Sequence, residues 1–523
     1  MKQISLKEIE KIKSVELNEN DFTFEEFIAV AKFHARITLS DYLVKRIEHS
    51  RRLVEGFLED GVAIYGVTTG FGDNVNYAIT REEASLLQTN LLRSHACSVG
   101  DPLNEEEVRA IILMIILNTG WGCSGIKIDT LQLLCDILNQ DLHPFAPGEG
   151  SVGYLSVEAH ICLTLIGEGY FLEDGRKLPA KEFLSQRNLS PIQLGCKEGL
   201  SLISGTTSVT ALALLSLFYG FTSLKHIQIT GALSFEALKG TTKAFDVTIH
   251  QLKKHTSQQM VAKNMERLLK GSQICDKYRH ETIQDACLLR TIPQVLGSCL
   301  HLIHESFDTI VNEMLSISDN PVILMEGEAY GKVFMTGNFD GSYVGTHCDM
   351  LSIAYANLGN FVERCTDRLV NHHISNGLPP FLAMDPGLNN GFMIPQYTQA
   401  ALQSELKLLA APASVDSITT CAGQEDPVSM AYHGAMKSLK CSKKLIQMTG
   451  ILLMTSLQAL EITVNSTGLK PSPMASFIFS HVRPHSSFFK EDRYLYPDME
   501  YFIHLIHTNK ITQMIEREFD VIL

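Results

Sequence analysis

Four loop-like stretches of the sequence carry residues that could do chemistry. The first is Tyr65-Gly-Val-Thr-Thr-Gly-Phe-Gly72. Its glycines allow positive φ or a close approach of backbone to ligand, and a tyrosine beside them is a candidate acid or base. Composition alone favours a plainer reading, a tight turn with a packed tyrosine. The others are Gly150-Ser-Val-Gly153, Thr336-Gly-Asn-Phe339 and the acidic Gln424-Glu-Asp-Pro-Val-Ser-Met430, and none of them decides a chemistry by itself. A dinucleotide fingerprint, a P-loop, G-x-S-x-G and H-E-x-x-H are all absent. His372-His373 and His304-Glu305 are isolated pairs in helical stretches, the pattern of solvated or capping side chains rather than metal ligands.

The elements that must position these loops are helices. Leu445, Ile446, Met448, Ile451, Leu452, Leu457 and Leu460 recur at helical spacing. Residues 105–118, 206–223, 294–315 and 398–411 show the same pattern. Strand-like runs are short, at 62–67 and 332–335, while glycine and proline gather in loops at 66–73, 143–153, 376–391 and 468–473. The pattern predicts a mainly α fold. Residues 1–204 form an N-terminal active-site region of loops and short strands, and 205–523 a helical bundle with C-terminal helices. A helix as apolar all round as 206–223 predicts a core deeper than one bundle layer, and with it an oligomer.

Composition sets the outer limits. Of 523 residues, 45% are hydrophobic and 20% charged, which excludes a disordered or fibrous chain. With 44 Lys+Arg against 58 Asp+Glu the net charge is −14, the wrong sign for a nucleic-acid partner. The 12 cysteines form no C-x-x-C pair and sit in apolar runs, as expected of free thiols in the cytoplasm. The start, MKQISLKEIEKIK, is charged and amphipathic and predicts no secretory signal. Residues 200–224 lack charge over a membrane-spanning length. They carry Ser201, Ser204, Thr206, Thr207, Ser208, Thr210 and Ser216, so a helix buried among helices is expected and no membrane partner.

Taken in order, the stretches resemble one family. YGVTTGFG (65–72), NLLRSHACSVG (90–100), GSVG (150–153), KEGLSLISGTT (197–207), IQDACLLR (283–290), SDNP (318–321), TGNF (336–339), GLPPFL (377–382) and QEDPVSM (424–430) are similar to the collinear motifs of the histidine ammonia-lyase superfamily over roughly residues 55–470. The resemblance implies an all-α fold with a long central helix bundle, a homotetramer whose sites combine loops of three protomers, and a small imidazole amino acid or betaine as partner. It also implies roles. Tyr65 matches the base that removes the Cβ proton, and Arg290 the arginine that grips the substrate carboxylate, a task suited to its planar fork. Gln284, Asn338 and Phe339 match pocket residues, Ser94-His95 the ring-selectivity pair of imidazole lyases, and Glu425 the glutamate used against the imidazole.

The departures from the family are specific. Its members build an electrophilic methylidene-imidazolone from Ala-Ser-Gly in GSVG-ASG-DLAPLAH, whereas this chain reads Gly150-Ser-Val-Gly-Tyr-Leu-Ser-Val-Glu-Ala-His160. Tyr154 replaces an acidic residue, Ser204 an asparagine, Cys287 a tyrosine, and Met384 stands where histidine lyases commonly place a lysine. These departures lead to the expectation of an enzyme with no cofactor, resembling ergothionase, that eliminates trimethylamine from ergothioneine to give thiourocanate. A quaternary amine leaves readily and needs only a base, a carboxylate clamp and a ring-activating group. Two alternatives stand beside it. One is a histidine ammonia-lyase with a methylidene-imidazolone between Gly153 and Tyr154, and the other is an inactive scaffold.

Overall fold

In the computed structural model the chain is described at residue 6, residues 8–19, 21–327 and 331–519, and residues 521 and 523. Most of the MKQISLKEIEKIK segment up to residue 7 lies outside the described residues. Four long helices make the core: α1 (Thr207–Ala237), α2 (Ile292–Met314), α3 (Ser342–Val370) and α4 (Ala431–Thr467). α1 lies along α4, α3 packs on α4, and α2 packs on α3. The helix Met393–Leu409 closes against α3 and α4, and Glu105–Gly120 against α1.

Every residue of α1 is buried, which is why its sequence shows no polar face. Its hydroxyls are paired rather than wasted. Ser216 and Ser438 share a hydrogen bond of 2.7 Å, and Ser234 and Ser456 one of 2.8 Å, both across the α1–α4 contact. Glu198–Ala237 and α4 are long and apolar enough to cross a membrane, yet those apolar windows are 100% and 89% buried inside this body. They are core helices. α1 is also tightly fitted at Gly220, where an added Cβ would lie 2.5–2.6 Å from ring carbons of Tyr355. Tyr355 is fully buried and donates to the Ser216 carbonyl at 2.9 Å, so its ring has no easy retreat. Gly220→Ala should cost about 1–3 kcal/mol of stability by overpacking, read as a lower denaturation midpoint with unchanged helical circular dichroism.

Strands are few and local. Ser14–Leu17 pairs in parallel with Arg36–Leu39. His143–Pro144, Tyr170–Glu173 and Arg176–Pro179 form a three-stranded antiparallel sheet. Val322–Ile323 pairs with Val333–Phe334, within the expected 332–335 run. The other strand-like run, 62–67, is no strand. The Thr68 hydroxyl donates to the Val62 carbonyl and accepts from the Ile64 N–H, which folds the segment into a turn. The pairing of Val99–Pro102 with Pro147–Glu149 matters most for function. It ties the end of helix Ala84–His95 to the GSVG loop, and a 2.6 Å Ser98–Ser156 hydroxyl contact reinforces the tie.

Candidate active site

The Tyr65 loop is built by its glycines and one buried glutamine. Gly66 has φ of +67°, and a side chain there would meet the Phe71 ring at 2.6 Å and Leu200 at 2.7 Å. Gln88 donates to the Gly66 carbonyl (2.8 Å) and accepts from the Leu200 N–H (3.0 Å), joining the loop to helix Glu198–Ile203. The Tyr65 hydroxyl accepts from the Gly72 N–H at 2.8 Å, and its ring meets Phe71 edge-on at 6.1 Å.

Tyr65, Ser94, His95 and Glu425 line one cavity of about 940 Å³. Phe71, Leu155, Leu200 and Cys421 are also among its lining residues. His95 ends helix Ala84–His95 with Nδ1 2.9 Å from the Leu91 carbonyl. A carbonyl only accepts, so Nδ1 carries the proton and Nε2 is left as an acceptor. Burial lowers the His95 pKa, with the Leu91 carbonyl and nearby Glu425 opposing, so the ring is neutral near pH 7. Glu425 sits in a small turn closed by the Thr420–Glu425 bridge and accepts from the Thr420 hydroxyl at 2.8 Å. Tyr65 is raised above the ordinary phenol value. Burial is the main cause, with Cys421 and Glu425 adding to it and the Gly72 N–H working against it.

The remaining sequence candidates lie elsewhere in the chain. Phe339 packs against Tyr154, with ring centroids 5.3 Å apart, and Asn338 donates to the Ile317 carbonyl at 3.2 Å. Gln284, Cys287 and Arg290 are exposed just before α2, the last two in the short helix Cys287–Arg290, and do not line the Tyr65 cavity; Arg290 contacts the Cys287 thiol at 3.4 Å. Ser204 is buried, and its carbonyl accepts from Asn118 at 3.4 Å. Met384 lines a separate recess of about 190 Å³ with Asn390 and Asp492. Sequence reasoning passed over Cys421 and Leu155 as lining residues. The signal for Cys421 was its place four residues before Glu425; nothing local marks Leu155.

The fold and this cavity define a class. The chain belongs to the aromatic amino acid lyase family, whose model matches residues 22–483, and it is a carbon–nitrogen lyase of the ammonia-lyase type. A histidine ammonia-lyase of Alkaliphilus metalliredigens is 38% identical to it, covering 98% of this chain and all of that one. The solved histidine ammonia-lyase of Trypanosoma cruzi superposes with a TM-score of 0.87 at 32% identity, over 95% of this chain and 94% of that one. The ergothionase of Treponema denticola superposes at 0.86 over 95% and 99%, but at only 24% identity, a likeness of fold alone.

These findings correct two expectations. Elimination of trimethylamine from ergothioneine is overturned, because the full-length relatives at 36–38% identity are histidine ammonia-lyases. Their sequence-wide similarity outweighs three altered side chains. The expected lack of a cofactor is overturned as an inference from family resemblance, since histidine ammonia-lyases use a methylidene-imidazolone. At the junction itself the residues disagree with that group. Ser429 Oγ is buried without a hydrogen-bond partner among the described residues and stands beside Gly153, as a free donor facing the group would. However, Gly153 is bonded directly to Tyr154, Ala-Ser-Gly occurs nowhere in the 523 residues, and the Tyr154 ring, 6% exposed, fills the space against Phe339. A group formed from that tripeptide does not fit this sequence.

Proposed function

We propose that this protein eliminates ammonia from L-histidine to give urocanate. The observation that carries the proposal is the meeting of Ser94, His95 and Glu425 with Tyr65 around one cavity, in a chain similar to histidine ammonia-lyases along its whole length. His95 Nε2 and the Glu425 carboxylate are both acceptors. A substrate imidazole between them is favoured as the imidazolium, with one N–H to each. That positive ring acidifies the adjacent Cβ–H and takes up electron density as the proton departs. Tyr65, as phenolate, removes the Cβ proton. The C–H electron pair becomes the Cα=Cβ double bond, the Cα–N bond breaks, and nitrogen leaves with its pair as ammonia.

Arg290 grips the substrate carboxylate as a bidentate partner. It lies outside this chain's Tyr65 cavity, so the proposal includes a homotetramer in which a neighbouring subunit supplies Arg290 together with Gln284. Asn338, Phe339, Ser204, Cys287 and Met384 take no part in a bond change. The setting is the cytoplasm, supported by 12 free cysteines, nine of them buried.

Incubation with L-histidine should release urocanate and ammonia in equal amounts, and release of neither would overturn the proposal. The pH dependence follows from Tyr65. The working form is the phenolate and its pKa is raised, so the active fraction falls as pH falls. In the bound complex, where the imidazolium is held between His95 and Glu425, kcat at saturating L-histidine should therefore climb about tenfold per pH unit between about pH 7 and 9. A flat profile over that range would exclude a raised Tyr65 as the base.

A further inference from the structure

The loop that carries Tyr65 is hydrogen-bonded to the rest of the protein at one point. Among the described residues, the hydrogen bonds of residues 64–72 stay within 62–79, with one exception. That exception is Gln88, whose side-chain N–H reaches the Gly66 carbonyl at 2.8 Å from helix Ala84–His95. Its other end accepts from the Leu200 N–H at 3.0 Å, one of the first-turn donors that helix Glu198–Ile203 cannot satisfy by itself. A carbonyl only accepts and an N–H only donates, so the amide has one orientation. Gln88 is fully buried, and an added Cβ on Gly199 would stand 2.6 Å from its backbone carbonyl oxygen. The helix that bears it is anchored in turn. Ser85 donates to the Leu194 carbonyl at 2.6 Å, and Arg93 grips Glu168 through Nε at 2.9 Å. Seven residues, close to two full turns, separate Gln88 from His95, so both lie on one helix face about 10 Å apart along the axis.

We propose that Gln88 is a positioning residue: it holds the Tyr65 loop at a fixed height on the helix that ends in His95, and so sets the reach from the base to the substrate ring. Gln88 touches no reacting atom and acts through Tyr65. The inference rests on the histidine reading for its kinetic consequences, and it makes Gln88 a determinant of proton removal rather than of ring binding. An ionised glutamate at 88 would offer the Gly66 carbonyl no donor, and a methionine would fill the space while bonding neither end.

For Gln88→Met the expected result is a kcat for L-histidine lowered about 10²-fold, the effect of displacing a reacting group by about 1 Å. KM should stay within about threefold, because Ser94, His95 and Glu425 keep their places. With Tyr65→Phe already present, adding Gln88→Met should lower kcat less than about threefold, since the two residues act as one unit. Mere support of the fold would lower it by the same factor in both backgrounds. Gln88→Glu, which keeps the shape and the bond to Leu200, supplies a pH signature. Only its protonated form can donate to Gly66, and burial raises a carboxyl pKa. Its kcat relative to wild type at the same pH should be highest at about pH 6 and fall at least about tenfold by about pH 9. An unchanged kcat in Gln88→Met, full additivity with Tyr65→Phe, or a Gln88→Glu ratio constant with pH would overturn the inference. If wild-type protein makes no urocanate, the histidine reading fails by itself. Amide hydrogen exchange then decides: faster exchange over residues 64–72 in the Gln88 variants with α1 unchanged supports the holding role, and equal exchange over 64–72 overturns it.

Discussion

Tyr65→Phe will lower kcat for urocanate formation by about 10³-fold while leaving KM for L-histidine within about threefold, because only the proton transfer is lost. The substitution removes one oxygen atom. That oxygen accepts the Gly72 N–H at 2.8 Å, so the loop loses a single hydrogen bond, worth about 1 kcal/mol. The ring contact with Phe71 remains, as does the Gln88 link from Gly66 to Leu200. A fold-related loss would appear in KM and in the denaturation midpoint together, whereas loss of the base appears in kcat alone. Stopped release of both products with intact L-histidine binding is the signature to look for. Residual turnover within about tenfold of wild type would remove Tyr65 from the role of base.

The second large effect concerns Arg290. Arg290→Ala will lower kcat/KM by about 10²–10³-fold, chiefly through KM, since it strips a charged, bidentate partner from the substrate carboxylate. Arg290 is exposed and outside the Tyr65 cavity of its own chain, so a site using both residues must draw them from two subunits. Each single variant is then nearly inactive, but co-expressed Tyr65→Phe and Arg290→Ala chains should regain activity. Random mixing places an intact Tyr65 opposite an intact Arg290 in about a quarter of the sites. Recovery near that level in the mixed oligomer supports the shared site, and mixed oligomers no more active than either variant would contradict it.

Much of the fold was legible because helices announce themselves locally. The apolar spacing at 294–315 and 398–411 corresponds to helices Ile292–Met314 and Met393–Leu409 within a few residues. The uncharged run after residue 200 became the fully buried α1, where hydroxyl pairing across to α4 explains its many serines and threonines. The 62–67 run misled because alternating apolar residues suit a strand and a half-buried turn equally well, and the Thr68 hydroxyl decided for the turn. At the site, motifs drew Tyr65, Ser94, His95 and Glu425 together before any geometry did. Two matters were invisible. The pKa of Tyr65 depends on burial and on Cys421, neither of which a local motif encodes. The ring contact of Tyr154 with Phe339 joins positions about 185 residues apart, and no local pattern carries such a link. The weight placed on Tyr154, Ser204 and Cys287 led to trimethylamine elimination, a conclusion that similarity along the full chain reversed.

The central claim is selection of an imidazole ring by His95 and Glu425 for ammonia elimination, and a competition assay tests it most directly. Purified protein is given L-histidine, L-phenylalanine and L-tyrosine separately and in mixture, and urocanate, cinnamate, coumarate and ammonia are measured. The account predicts urocanate and ammonia in equal amounts, with kcat/KM for histidine at least about 10³-fold above either phenyl substrate, as expected where buried polar groups would otherwise go unpaired. Cinnamate or coumarate formed at comparable rates, or no urocanate from histidine at any pH, would contradict it.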